Sequence, residues 1–518
     1  MAKGAAAEAQ PGSMRLSKTN YLVYRDCAHN AWMKVHRPEA YHAEPLSVFE
    51  KAIIEIGNDV DVRARSLFPG GILIRRGDAI GTAQMIAERA KILYQPVFET
   101  ERYTTACDVL AWNEAEGGYD LFEVKASTSG EDRKAKDDLY AHDIAFQALV
   151  LRANGVPLAR LHLVRLNGEY VSDGTLDLAR LFTREDFTDR VTPLLEKVES
   201  EMEAAYDVIT LAALPAPPCT CLHKGRSSHC TSFAYINPEV PEYSVHDLTR
   251  IGTSPKRLRA LIDDGILSIT DIPADFELTI PQRHQVDAAR RRQPYVDPGS
   301  LVGFLDEIRY PIAFLDYETY PCALPRFAGY APFNHIPFQF SLHTLEALGA
   351  EPVHREFLFT EATCPDAPFV AALKAALPAE GAIVVWNKPF ERGINAKLAE
   401  RLPHEAAYLT SVNERVVDLM DVFTQQMVVH PDFRGRTSIK WVLPALVPSL
   451  SYKELAIQEG ATASETWNAM VTGELEPDVA RAAAKNLLTY CGLDSLAMLE
   501  IWRALHDIAA SHDLRQAG

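Results

Sequence analysis

Two groups of acids and one group of cysteines are the parts of this chain that can do chemistry. In ACDVLAWNEAEGGYDLFEVKAST, Asp108 stands near the end of one strand-like run and Glu123-Val124-Lys125 on the next. Side chains alternate along a strand, so Glu123 and Lys125 share a face that Asp108 can reach from its neighbour. Two carboxylates can hold Mg2+ or Mn2+, which polarises a phosphodiester and lowers the pKa of bound water. The lysine can orient that water or offset the developing negative charge.

A second acidic set lies in the last third. The run YPIAFLDYETY is an apolar strand ending in Asp316 and Glu318, which period-two geometry points to one face. VVWNKPFERGIN then carries Glu391, and LLTYCGLDSLAM carries Tyr490 and Asp494 on a helix at i, i+4 spacing. Four acids drawn from strand, loop and helix can hold two divalent ions that stabilise the attacking and leaving oxygens of an in-line displacement. The tyrosine hydroxyl can orient the attacking water. Asp418 in VVDLMDVF competes with Glu391 for the middle position, and Ser438 and Lys440 are candidate phosphate contacts.

Cys27 lies in LSKTNYLVYRDCAHNAW, and PPCTCLHKGRSSHC supplies Cys219, Cys221 and Cys230. Thiolates suit iron–sulfur clusters and Zn2+ alike. With zinc, His223 or His229 could assist. The other four cysteines are scattered.

The first acidic set, with Gln147 in a following helix, resembles the PD-(D/E)XK superfamily, closest to RecB-type and CRISPR-associated RecB-like nucleases. The resemblance implies that Gln147 supports the active site. It also implies a metal ligand after a Gly-x-x-Val motif, where Gly57-Asn58-Asp59-Val60 precedes Asp61 instead of the usual His. Position 151, often Tyr, is Leu. The cysteine spacing resembles the [4Fe–4S] clasp of such nucleases, with Zn2+ as the alternative occupant. FLDYET with Tyr490 and Asp494 resembles the DnaQ-like DEDD exonucleases of the RNase H-like fold that carry Y-x-x-x-D. There the middle acid is usually Asp in H-N-x-x-F-D, against W-N-K-P-F-E here. The whole arrangement is similar to a bacterial family of RecB-like nucleases that joins both halves. These resemblances imply a metal-dependent nuclease acting on DNA, on single-stranded ends above all, in repair or in defence against phages and plasmids. The C-terminal half would work 3′ to 5′, and the N-terminal half would supply a second site. RNA as substrate, or a nucleic-acid-binding scaffold with inactive sites, are the alternatives.

Several elements must position these residues. The expectation is an α/β multidomain chain: a PD-(D/E)XK restriction-endonuclease-like core at 14–238, a helical connector at 239–300, and an RNase H-like domain at 301–518. The connector's LTRIGTSPKRLRALIDDGILSITDIP run has the rhythm of a helical hairpin that could bind nucleic-acid backbone, a plain helical linker being the alternative. Residues 1–13 read as a disordered lead-in or expression remnant, with Met14 as an alternative start. Periodicity predicts helices over 17–35, 46–67, 79–94, 137–154, 184–208, 389–402, 412–427, 437–446 and 478–509. It predicts strands over 96–112, 119–126, 160–166, 309–315, 335–345, 353–359 and 383–386. A length of 518 residues exceeds a single core. No apolar run reaches the length of a membrane span and the first residues lack a signal-peptide core, so a cytoplasmic location is expected. The net charge of −18 argues against a simple basic nucleic-acid coat. Substrate would instead be gripped by local patches: Arg75-Arg76, Arg133-Lys134-Lys136, Lys256-Arg257-Arg259 and Arg290-Arg291-Arg292.

Overall fold

A computed structural model describes residues 14–41, 45–128, 134–216 and 218–516. The expected lead-in at 1–13 lies outside the described residues. The chain is mixed α/β and divides into two compact units. The first comprises Met1–Glu239 with Ala323–Pro332, and the second Val240–Cys322 with Phe333–Gly518. Residues 240–300, read above as part of a connector, belong to the second unit. Gln285 there donates to the Asp247 carbonyl at 2.9 Å, and strand Tyr295–Val296 pairs with Val428–Val429. Among the described residues, no helix is long and apolar enough to cross a membrane.

The first unit is built on a six-stranded sheet. At its centre, strand Gly118–Thr128 pairs antiparallel with Val109–Asn113 and parallel with Leu158–Leu166. A parallel pair needs a crossover, and helix Lys134–Ala153 supplies it. That helix buries Ala141, Ile144, Ala145, Ala148 and Leu151 in the core. Each large apolar side chain so buried contributes roughly 1.5–3 kcal/mol. The helix expected over 184–208 starts instead with strand Phe182–Asp186, and helix Leu195–Thr210 follows. Alternation decides it: Arg165 on the adjacent strand takes Glu185 at 2.6 Å and Asp137 at 2.9 Å. The end of the expected helix 79–94 is likewise strand Ile92–Tyr94, paired with Val109–Asn113.

The second unit has a five-stranded sheet in the order Val353–Leu358, Asn334–Leu345, Ile312–Cys322, Ile383–Val385, Val416–Asp418. The first three strands are antiparallel, and the last two run parallel to the central one. The central strand is buried on both faces, which explains its apolar run. A register shift falls between Glu318 and Thr319, so the regular pleat holds through the two acids and bends just past them. The long helix Pro477–Gln516 lies against this strand and its antiparallel neighbour. The helix expected over 412–427 is broken by strand Val416–Asp418, whose β-branched pair extends the sheet edge.

Candidate metal centres

The C-terminal acids converge. Asp316 and Glu318 project from one face of the central strand, and Asp494 reaches them from helix Pro477–Gln516. One carboxylate oxygen of each lies within 4.8 Å of the others. Glu391, in the first turn of helix Lys388–Arg401, is buried, and its Oε2 has no hydrogen-bond partner. It lies close enough that its charge helps raise the pKa of Asp316.

Among the described residues, Lys440 bears on the group without balancing it. Burial first, then Asp494, Glu318 and Glu391, push Asp316 well above the usual carboxylate range. Burial and Asp494 do the same to Glu318. Asp494 is pushed up to about 6 by burial, held from going further by Tyr452, Lys440 and Tyr490. Glu391 is pushed up to about 8 by burial. Crowded, partly neutral carboxylates with an orphaned buried oxygen are a donor set that fits hard divalent cations.

Asp418 is a different kind of residue. Its carboxylate accepts from the backbone N–H groups of Asn387 at 3.0 Å, Lys388 at 2.8 Å and Met420 at 3.1 Å. It thereby anchors the start of the helix that carries Glu391, where Asn387 holds a left-handed φ of 83°. Of the two candidates for the middle position, Glu391 is the one whose charge bears on Asp316, although it lies outside the group of three whose oxygens approach within 4.8 Å.

Tyr452, Cys491 and Gly460 had no sequence motif to announce them; Lys440 was a candidate phosphate contact. Tyr452 donates to Asp494 Oδ1 at 2.6 Å. The buried Cys491 thiol, pushed up by burial and so kept neutral, donates to Asp316 Oδ2 at 3.5 Å. Gly460 opens helix Gly460–Val471 beside Glu318 and Tyr490, and a Cβ there would stand 3.7 Å from Glu318 Oε2. Lys440 bears on both Glu318 and Asp494.

The N-terminal acids lie in a pocket of opposite balance, where, among the described residues, no three of them bring carboxylate oxygens within 4.8 Å of one another; shared amides and lysines link them instead. Asp61, on helix Val48–Ala64, is paired with Arg65 and accepts from Gln95 at 3.2 Å. The same Gln95 amide reaches Asp108 Oδ1 at 3.2 Å, while Asp108 Oδ2 accepts from the Val124 N–H at 2.7 Å. Glu123 accepts from Lys125 at 2.6 Å, Gln147 at 2.7 Å, and Lys18 at 2.9 and 3.1 Å. Asp143 accepts from Lys125 at 2.6 Å and Gln147 at 2.9 Å. Burial alone would raise Glu123, but Lys125 and Lys18 prevail and hold it well below its ordinary value. Asp108, with burial and Glu123 against it, is pushed up to about 7. Gln147 Oε1 and Asp61 Oδ1 are buried without a partner, so the pocket still has oxygens to offer a cation. Sequence reasoning missed Lys18, Gln95 and Asp143. Asp143 stands four residues before Gln147, one turn away on the same helix face, and that spacing was the available signal.

The four cysteines form the third centre. All are buried, and the sulfurs of Cys27, Cys219, Cys221 and Cys230 lie within 4.8 Å of one another. Cys27 occupies the break between helices Lys18–Asp26 and Ala28–His36. Hydrogen bonds from Lys224 to the Asp26 carbonyl and from Trp32 to the Leu211 carbonyl tie the same two stretches together. His223 and His229 are outside the group; His229 is stacked on Phe233 and lies 3.1 Å from the Lys224 carbonyl. Four converging thiols fit a thiophilic metal.

Of the basic patches, Arg75, Arg76, Lys256, Arg259, Arg291 and Arg292 are exposed. Arg290 is turned onto the Thr270 carbonyl at 2.9 Å. Arg133 lies outside the described residues.

The family model described as "Domain of unknown function (DUF2779)" matches residues 313–438. That stretch contains Asp316, Glu318, Glu391 and Asp418 and ends before Tyr490 and Asp494. The chain is also similar to a Mycoplasma pneumoniae protein described as "Uncharacterized protein MG366 homolog", at 28% identity over 206 residues. The matched stretch is 36% of this chain and 31% of that relative's length.

Proposed function

We propose that this protein is a metal-dependent nuclease that hydrolyses phosphodiester bonds of single-stranded DNA, with the exonuclease centre at Asp316, Glu318, Glu391 and Asp494. The observation that carries this reading is the convergence of three carboxylates within 4.8 Å, drawn from a strand and a helix far apart in the chain. Uncompensated acids destabilise a fold unless a ligand repays them, and divalent cations do so. Mg2+ or Mn2+ bound there would polarise the scissile phosphate and activate water. Tyr490, beside Asp494 and Glu318, orients the attacking water. Tyr452 and Cys491 fix the carboxylates of Asp494 and Asp316 by hydrogen bonds, and Lys440 offsets charge at the phosphate. The resemblance of FLDYET and Y-x-x-x-D to DEDD exonucleases supports a 3′ to 5′ direction and an RNase H-like fold for this half.

The N-terminal pocket is the second hydrolytic centre in this proposal, with Asp61, Asp108 and Glu123 as ligands, Lys125 as the charge-stabilising cation and Gln147 as support. A scaffold role for this half is the competing reading, favoured by the lysines that already saturate Glu123. The cysteine centre is structural. Its sequence pattern favours [4Fe–4S], while the crowding of its sulfurs favours one tetrahedral ion such as Zn2+. In a cubane each thiolate binds a different iron, which spreads the sulfurs apart. Iron content and visible absorbance of anaerobically purified protein decide between them.

The test of function is cleavage of 3′- and 5′-labelled single-stranded DNA and RNA by the full chain with Mg2+ or Mn2+, against Asp316→Asn and Glu123→Gln. Loss of 3′ trimming in Asp316→Asn supports the C-terminal assignment. Loss of a separate activity in Glu123→Gln supports the second. Absence of all cleavage by metal-loaded wild-type protein overturns the nuclease reading, and cleavage of RNA alone redirects it.

A further inference from the structure

Lys18 is a cation of the N-terminal pocket that the proposed chemistry leaves unused. It opens helix Lys18–Asp26, where a cation faces the positive end of the helix dipole. Something must hold it there, and the contacts say what. Its ammonium spans both oxygens of Glu123, at 2.9 and 3.1 Å, and stands 3.6 Å from Asp143. Lys125, by contrast, is on the same strand as Glu123 and is shared at 2.6 Å between Glu123 and Asp143. Lys18 comes from outside the sheet on a long flexible stem, and its side chain keeps 23% exposure to solvent. The other end of its nine-residue helix is capped at Cys27, so the cysteine centre fixes where that stem starts.

We propose that Lys18 is a resident counter-cation that holds the N-terminal divalent-metal position and must withdraw when the metal enters. This rests on reading the pocket as a divalent-cation site. The charge count supports displacement. Asp61, Asp108, Glu123 and Asp143 offer four negative charges, and Arg65, Lys18 and Lys125 three positive ones. A divalent ion added beside both lysines leaves the buried pocket positive, whereas its exchange for Lys18 leaves it neutral. The buried, unpartnered Gln147 Oε1 and Asp61 Oδ1 give the incoming ion oxygens that an ammonium at Lys18 does not use. The pocket is then a gated centre, closed by its own lysine at low divalent concentration.

The experiment is Mn2+ binding followed by electron paramagnetic resonance, on full-length protein whose C-terminal centre is silenced by Asp316→Asn and Asp494→Asn. In that background Lys18→Met should tighten Mn2+ binding at least roughly tenfold, because a like charge a few ångströms away is removed. Lys18→Arg, which keeps the charge, should leave the affinity near that of the parent. Adding Glu123→Gln to Lys18→Met should abolish the gain. Equal or weaker Mn2+ binding in Lys18→Met overturns the proposal while the metal-site reading stands. No Mn2+ binding in any variant overturns both. A gain that survives Glu123→Gln places the ion elsewhere and also overturns the proposal.

Discussion

The two acidic clusters use the same residue types under opposite electrostatic conditions. The C-terminal trio has its carboxylates packed against one another, relieved among the described residues by hydroxyls, a thiol and Lys440, and their pKa values still rise. In the N-terminal pocket Glu123 is enclosed by two lysines and an amide, and its pKa falls. A cluster of the first kind attracts a divalent ion without rearrangement. One of the second kind has already chosen a cation from its own chain. Proximity of acids therefore does not by itself make a metal site; the balance of fixed charge around them decides.

The most severe way to break this comparison is Asp316→Asn or Asp494→Asn. Each should lower 3′ trimming by on the order of 10³-fold, since metal-ion catalysis contributes several kcal/mol to the transition state. A cleavage rate within threefold of wild type would detach the trio from the chemistry. Next, Cys27→Ser should lower the thermal stability of the N-terminal unit by roughly 3 kcal/mol or more, because metal binding at such centres is folding free energy. Mn2+ binding at Asp316, Glu318 and Asp494 should be unchanged; calorimetry and metal titration on one sample check both halves of that statement. Tyr490→Phe should reduce trimming by about tenfold to a hundredfold with little change in Mn2+ affinity, which steady-state kinetics and a binding isotherm separate.

The smallest effect is on pH dependence, and it has opposite signs in the two clusters. Asp494 at about 6 and Glu391 at about 8 are raised. The folded state then binds more protons than the unfolded one, so their contribution to the stability of metal-free protein is present at acid pH and is lost as pH rises through those values. Glu123 is depressed, so its contribution is present above the ordinary carboxylate range and is lost on acidification through its folded value. Asp108, raised to about 7, follows the C-terminal sign. In chelator, Asp494→Asn should flatten the decline in melting temperature between about pH 4 and about pH 6, and Glu123→Gln should flatten the acid limb below the ordinary carboxylate range instead. Identical pH profiles for the two variants would erase the distinction.

Much of each site was legible in residue order. Alternation along Ile312–Cys322 was enough to put Asp316 and Glu318 on one face, and i, i+4 spacing paired Tyr490 with Asp494. Asp418 could not be read this way. Its type and its apolar neighbours match those of a ligand, and only the backbone N–H groups around it show that its oxygens are already engaged. The helices expected over 184–208 and 412–427 contain strands for a related reason. Short β-branched or charged runs carry a weak periodic signal, and pairing with a distant strand overrides it.

Residue types and spacing thus determined which groups this protein can bring to a metal: four thiols, a lysine beside a glutamate, and an ordered series of acids. These are local properties, set by the pleat and by the helical turn. Tertiary structure alone decided which of them stay open. Lys18, Asp143 and Gln95 reach the N-terminal acids from separate helices and loops, and Tyr452 reaches Asp494 across 42 residues. Charge balance in a buried pocket is the sum over every element that faces it, and no stretch of chain contains that sum.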